Sequence, residues 1–120
     1  MSVLADLNNL LMPILPVETG IFSGIPPDEY LVLTPMTDEF ALFGDNNPLF
    51  EISEVRISLF SKGNYLQRKR QITQVLLNAD FTITDRRYVG YETDTGYHHY
   101  AIDVATSMTL DSISPDGESN

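Results

Sequence analysis

The stretch from Asn64 to Ala79 carries the strongest helical signal in the chain, and strand-type segments stand on both sides of it. Asn64 offers an N-cap, the residue type whose side chain satisfies a backbone N–H that the first turn leaves unpaired. Ile72, Val75, Leu76 and Ala79 form one apolar stripe, while Arg68, Lys69, Arg70, Gln71 and Gln74 cover much of the remaining circumference. Such a helix has to bury its stripe against another layer, and the strand-type segments on both sides of it supply a sheet for that layer.

The flanking segments supply that sheet. Residues 2–12 read as a shorter amphipathic helix, with Ser2 as its cap, Asp6 in an early turn, and Leu4, Leu7, Leu10 and Leu11 at three- and four-residue spacing. Pro13 and Pro16 stop it. Val17 to Phe22 is a short strand, Ser23 to Asp28 a turn-rich stretch, and Tyr30 to Thr34 a buried-type strand bounded by Pro35. Phe40 to Phe60 reads as a hairpin around the Gly44–Pro48 turn cluster. In its return strand Phe50, Ile52, Val55, Ile57 and Leu59 nearly alternate, with a slip at Glu54 consistent with a bulge. After the main helix, 81–106 reads as a long hairpin turning at Glu92–Gly96. On its second strand His99, Ala101, Asp103 and Ala105 share one face, and Tyr100, Ile102 and Val104 share the other.

The resulting order, α-β-β-β-β-α-β-β, predicts an α+β fold. It is a single domain over 1–106, with a mostly antiparallel sheet, two helices packed on one face and a long C-terminal hairpin. A Ser-, Asp-, Gly- and Pro-rich stretch, 107–120, is expected to be a flexible acidic tail.

At 120 residues and 42% apolar, the chain suits one core. No apolar run approaches the roughly 20 residues that span a bilayer. The N-terminus lacks a basic n-region and reads as a helix, not a signal peptide. Without cysteine there is neither a disulfide framework nor a thiolate metal site.

Charge is distributed in blocks. All seven Lys and Arg lie between Arg56 and Arg87, a window of formal charge +5, while the residues before it carry −9 and those after it −6. The net −10 argues against a general nucleic-acid-binding role, because duplex affinity comes largely from phosphate neutralisation. If folding keeps the blocks apart, one side of the molecule attracts the opposite side of a second copy, and a repeated head-to-tail contact closes into a ring or runs on as a filament.

No arrangement in the sequence points to catalysis. His98 and His99 are the only histidine pair, and as strand neighbours they point to opposite faces and cannot chelate one ion together. Asp103 shares the His99 face but lies roughly 13 Å along the strand. Neither a Gly-x-Ser-x-Gly elbow nor a Gly-rich phosphate loop is present. The expectation is therefore no catalytic residues, no metal ligands and no cofactor. Candidate contact residues are Arg68, Lys69 and Arg70, which fan over a helical turn. Their expected partners in a neighbouring copy are Asp28, Glu29, Asp38 and Glu39. Tyr88, Tyr91 and Tyr97 are expected to make the Arg86–Tyr97 hairpin a stiff contact arm. Lys62 to Arg70 could alternatively serve a nucleic-acid-binding regulator, with Asn64 to Leu66 as a phosphate-facing helix N-terminus. A small esterase or nuclease would use His98, His99 and Asp103.

Four runs carry a family resemblance: Val17 to Tyr30 (VETGIFSGIPPDEY), Ser58 to Tyr65 (SLFSKGNY), Leu77 to Tyr88 (LNADFTITDRRY) and Gly96 to Val104 (GYHHYAIDV). In this order they resemble the tail terminator, tail completion or tail-to-head joining proteins of long-tailed bacteriophages and prophages, over about residues 5–106. The resemblance implies an α+β fold and a homo-oligomeric, hexameric ring. Such a ring stops tail-tube growth, docks to the neck of the filled head and lets DNA pass through its lumen without specific binding. It implies as partners the major tail tube protein and the head–neck connector proteins, with assembly in the bacterial cytoplasm and a final place at the head–tail junction. It brings no active-site residues with it. Another small neck ring protein, of the head completion or connector kind, is the neighbouring alternative.

Overall fold

The computed structural model describes residues 3–20, 24–42 and 49–109, with side chains described for all of these but 38–42, 49–51 and 108–109. The elements are α1 (Val3–Leu11), β1 (Val17–Thr19), β2 (Glu29–Leu42), β3 (Leu49–Ser61), α2 (Tyr65–Asn78), β4 (Thr82–Tyr91) and β5 (His98–Thr109). They make an α+β domain around one five-stranded sheet of order β1-β2-β3-β5-β4, antiparallel except where β1 runs parallel to β2.

α2 begins and ends for local reasons. Asn64 Oδ1 accepts the backbone N–H of Gln67 at 3.2 Å, the capping role expected of it. At the other end Asp80 takes the left-handed conformation, φ 66°. Phe81 N–H then reaches Leu76 O and Asp80 N–H reaches Leu77 O, at 3.0 and 3.1 Å. This is the Schellman arrangement that turns a chain sharply out of a helix, here with Asp where Gly is usual.

Both helices lie on the same face of the sheet. Strand parity puts Leu31 and Leu33 of β2, Val55, Ile57 and Leu59 of β3, and Tyr100, Ile102 and Val104 of β5 on that face. They close over Leu7 and Leu11 of α1 and Ile72 and Leu76 of α2 to form the main buried cluster. Truncating one of these, such as Leu76→Ala, belongs to the class that costs about 2–5 kcal/mol. Of the expected α2 stripe, Ile72 and Leu76 are buried and Val75 packs beside them, whereas Ala79 is exposed.

Three boundaries differ from expectation. The segments 30–34 and 40–42, read as parts of two strands, belong to the single strand β2, so three strands and not four precede α2. Pro35 does not end β2. Proline is tolerated at sheet edges and bulges, and β1 pairs only with Leu31 to Leu33, leaving Pro35 beyond it. The slip expected at Glu54 is real, but the extra residue is Met36 on β2: Pro35 pairs with Val55 and Thr37 with Glu54, while β3 pairs with β5 without interruption. Finally, residues 107–109, expected in the tail, are the end of β5. Ser2, Phe22, the Gly44–Pro48 turn and the rest of the tail lie outside the described residues.

Candidate interaction surfaces

The sheet face opposite the helices carries a smaller cluster. Tyr30, Val32 and Tyr97 are buried there and Phe60 packs against them. Tyr30 stacks on Phe60 at 4.9 Å, and the Phe60 ring stacks on His99 at 4.3 Å. Tyr97 stands edge-on to both Tyr30 and Phe60, and its hydroxyl donates to Pro27 O at 2.6 Å. Next along the same face, Arg56 and Asp103 are directly opposed on β3 and β5. The guanidinium donates from Nε and Nη2 to the two carboxylate oxygens at 2.8 and 3.1 Å, a two-pronged pairing.

His98 and His99 point to opposite faces, as strand geometry requires. His98 stacks on Tyr65 of α2 at 5.0 Å, and its Nδ1 lies 2.9 Å from the Tyr88 hydroxyl. Burial pushes the His99 imidazole below its usual pKa range, and Nε2 is buried with no hydrogen-bond partner. Asp103 is engaged with Arg56 and not with either histidine. Among the described residues no three His, Cys, Asp or Glu side chains gather where they could hold a metal ion.

The basic turn fans out as its consecutive positions demand, and Arg68 already has a carboxylate partner within its own chain. Arg68 Nε donates to Glu29 Oε1 at 2.9 Å within the same chain, and Lys62 lies 3.9 Å from Asp28. Asp28 and Glu29, expected to meet a neighbouring copy, thus find bases internally, because β2 begins beside the N-terminal turn of α2. Glu29 also accepts from Ser61 Oγ at 2.7 Å, so one carboxylate ties β2, β3 and α2 together. Lys69 Nζ sits 5.3 Å above the Tyr100 ring. Arg70 is exposed. The side chains of Asp38 and Glu39 lie outside the described set.

The three tyrosines of the expected arm divide. Tyr97 is only 6% exposed, because it folds back onto Tyr30 and Phe60 and is a core residue of the open face. Tyr88 and Tyr91 are 44% and 53% exposed at the free edge of the sheet. The strands that outrun the helix-covered core are β2, β3 and β5, whose pairing continues past Glu54 out to Leu42–Leu49 and Phe50–Thr109. The 86–97 hairpin stays alongside β5.

Folding joins the charge blocks at Lys62–Asp28 and Arg68–Glu29 and otherwise leaves them on different elements. Residues 3–42, which make α1, β1 and β2, bring six carboxylates and no base to one edge of the sheet. Residues 65–91, which make α2 and β4, bring five bases and two acids to the other. A further group shares only Arg70 with the residues expected to make contacts. Leu66, Arg70, Thr73 and Leu77 recur at i, i+4, i+7 and i+11 and so share one flank of α2. That flank faces β4, since Arg86 Nη1 reaches Thr73 Oγ1 at 3.3 Å. Its spacing is helical, but a Leu–Arg–Thr–Leu stripe lacks the apolar contrast that marks out a face.

The chain matches no known family model and no curated protein. Among solved structures, a chain of the virion of a native gene transfer agent (GTA) particle superposes on it with a TM-score of 0.49. The two are 12% identical, over 88% of this chain and 85% of that one.

Proposed function

We propose that this chain is a structural subunit of the tail of a long-tailed phage or phage-like particle. It forms a ring, six copies by family resemblance, that ends the tail tube and joins it to the head. The observation that carries this reading is the pair of unlike sheet edges, acidic on the α1–β1–β2 side and basic on the α2–β4 side. A subunit with two complementary, non-identical edges makes a heterologous contact, and heterologous contacts generate rings when the rotation closes. The four sequence runs that resemble the tail terminator group support the tail assignment. The net charge of −10 suits a lumen through which DNA passes without being held. The partners are then the tube protein on one side and a neck connector on the other.

A nucleic-acid-binding regulator is the weaker reading. Two of the cations it would use, Lys62 and Arg68, already face carboxylates, and a third lies over Tyr100.

Native mass spectrometry tests the ring directly. A discrete oligomer of about 81 kDa, six times the 13.5 kDa chain, is the expected species, and particles lacking the protein should carry over-long, unjoined tails. A monomer at every concentration, with tight and salt-sensitive DNA binding, would sink the proposal.

A further inference from the structure

We infer that the flank formed by α2 and the outer edge of β4 receives the α1–β1 edge of a second copy of this chain, through an apolar contact framed by opposite charges. The inference rests on the ring reading and deepens it by naming the two surfaces. Among the described residues, the large apolar side chains that stand exposed avoid the central strands β3 and β5. Leu66 and Leu77 of α2 and Tyr88, Val89 and Tyr91 of β4 gather at one edge. Met12 and Ile25 belong to the end of α1 and the connection from β1 to β2 at the other, and Met36 is the bulge residue of β2.

The α2–β4 group forms one surface. Leu66 and Leu77 share the flank of α2 that faces β4. Tyr88 and Tyr91 stand on the same side of the sheet as α2, with Tyr65 5.3 Å from Tyr88 and His98 4.8 Å from Tyr91. Half-exposed tyrosines held by ring contacts present a large area at little further cost in conformational freedom, the property that makes such residues contact anchors. Arg70 and Arg86 lie among them, both exposed.

Charge decides the occupant. The other edge of the sheet carries Asp6 and Glu18 with no base near them in sequence, and it also carries Met12 and Ile25. β1 and β4 stand at opposite ends of the five-stranded sheet, about 19 Å apart at the usual strand spacing, so Glu18 and Arg86 meet only between copies. The contact is made by side chains and not by extending the sheet. β4 is broken by register shifts between Ile83 and Asp85 and between Tyr88 and Gly90, and bulges of this kind protect an edge from strand addition.

The test exploits the head-to-tail character of the contact. One variant, Arg70→Glu with Arg86→Glu, makes both edges acidic. The other, Asp6→Lys with Glu18→Lys, makes both edges basic. Circular dichroism first establishes that each is folded, and sedimentation velocity then measures assembly. Each variant alone should need about tenfold more protein than the wild type to assemble, while an equimolar mixture should recover wild-type assembly as alternating copies. Tyr91→Ser with Leu66→Ser should weaken assembly without a partner that rescues it. If the wild type assembles but the reversed variants assemble equally well, or weaken without recovering on mixing, the contact lies elsewhere and this inference is wrong while the ring stands. Normal assembly of the Tyr91/Leu66 variant would likewise move the contact elsewhere. A wild type that stays monomeric overturns the ring and this inference together.

Discussion

Arg68 and Glu29 are 39 residues apart in sequence and meet at 2.9 Å, with Ser61 completing the contact from a third element. Side chains in this group are partly withdrawn from water, Arg68 to 30% and Glu29 to 21% exposure, so the pair is better placed to matter than a surface ion pair. Its role is to dock the first turn of α2 onto the ends of β2 and β3.

Glu29→Ala should therefore damage the monomer. It removes an acceptor from the buried Ser61 hydroxyl and from Arg68 at once, a loss of about 1.5–3 kcal/mol for a hydrogen-bonded charge. Urea denaturation should show a lower midpoint with an unchanged slope. An unaltered midpoint combined with lost assembly would return Glu29 to the subunit contact.

His99 makes the fold sensitive to mild acid. Burial lowers its folded pKa, opposed by Glu92 and helped by Arg56 and Arg87. Its unfolded value is about 6.5, so protons bind the unfolded chain first. Stability should be unaffected by this residue above pH ~6.5 and should fall as the pH drops from there to the depressed folded value. His99→Phe keeps the stack on Phe60 and removes the titration. The difference in melting temperature between wild type and variant should then widen, against the wild type, from about pH 7.5 to about 5.5. A constant difference would show that His99 does not titrate in this window.

Asp80 is the one non-glycine among the described residues with a positive φ, 66°. A side chain costs energy there that glycine avoids. Asp80→Gly should stabilise the protein by about 0.5–1 kcal/mol after allowing for the greater freedom of glycine in the unfolded chain. Thermal unfolding checks it, and a fall in melting temperature would mean that the Asp80 carboxylate has a stabilising role at this turn.

Tyr97 should behave as a core residue. Tyr97→Phe keeps the ring contacts and loses only the 2.6 Å bond to Pro27 O, worth about 0.5–1.5 kcal/mol. Tyr97→Ser empties the space beside Tyr30 and Phe60 as well and should cost about 3–5 kcal/mol. Chemical denaturation of the two variants separates these effects. Near-wild-type stability of Tyr97→Ser would place the side chain outside the core.

Local rules carried much of the fold. The Asn64 cap, the Ile72–Leu76 stripe and the two-residue alternation of Tyr100, Ile102 and Val104 depend on periodicity and on hydrogen bonds within a few residues, so the order of the residues determines them. The segregation of Lys and Arg into one window is likewise a property of the chain alone. Which elements became neighbours was decided only in three dimensions. Nothing local says that β5 inserts between β3 and β4, which is what opposes Asp103 to Arg56 and leaves the edge of β4 open. Nothing local says that β2 starts beside α2, so Arg68 could not be assigned to Glu29 of its own chain rather than of a neighbour. Pro35 was misleading because its cost depends on whether the edge beside it is paired. The tyrosines divided for a similar reason: Tyr91 and Tyr97 flank the same turn, yet only Tyr97 faces a cluster contributed by two distant strands. Periodicity assigns a side chain to a face; the pairing of strands far apart in sequence decides what covers that face.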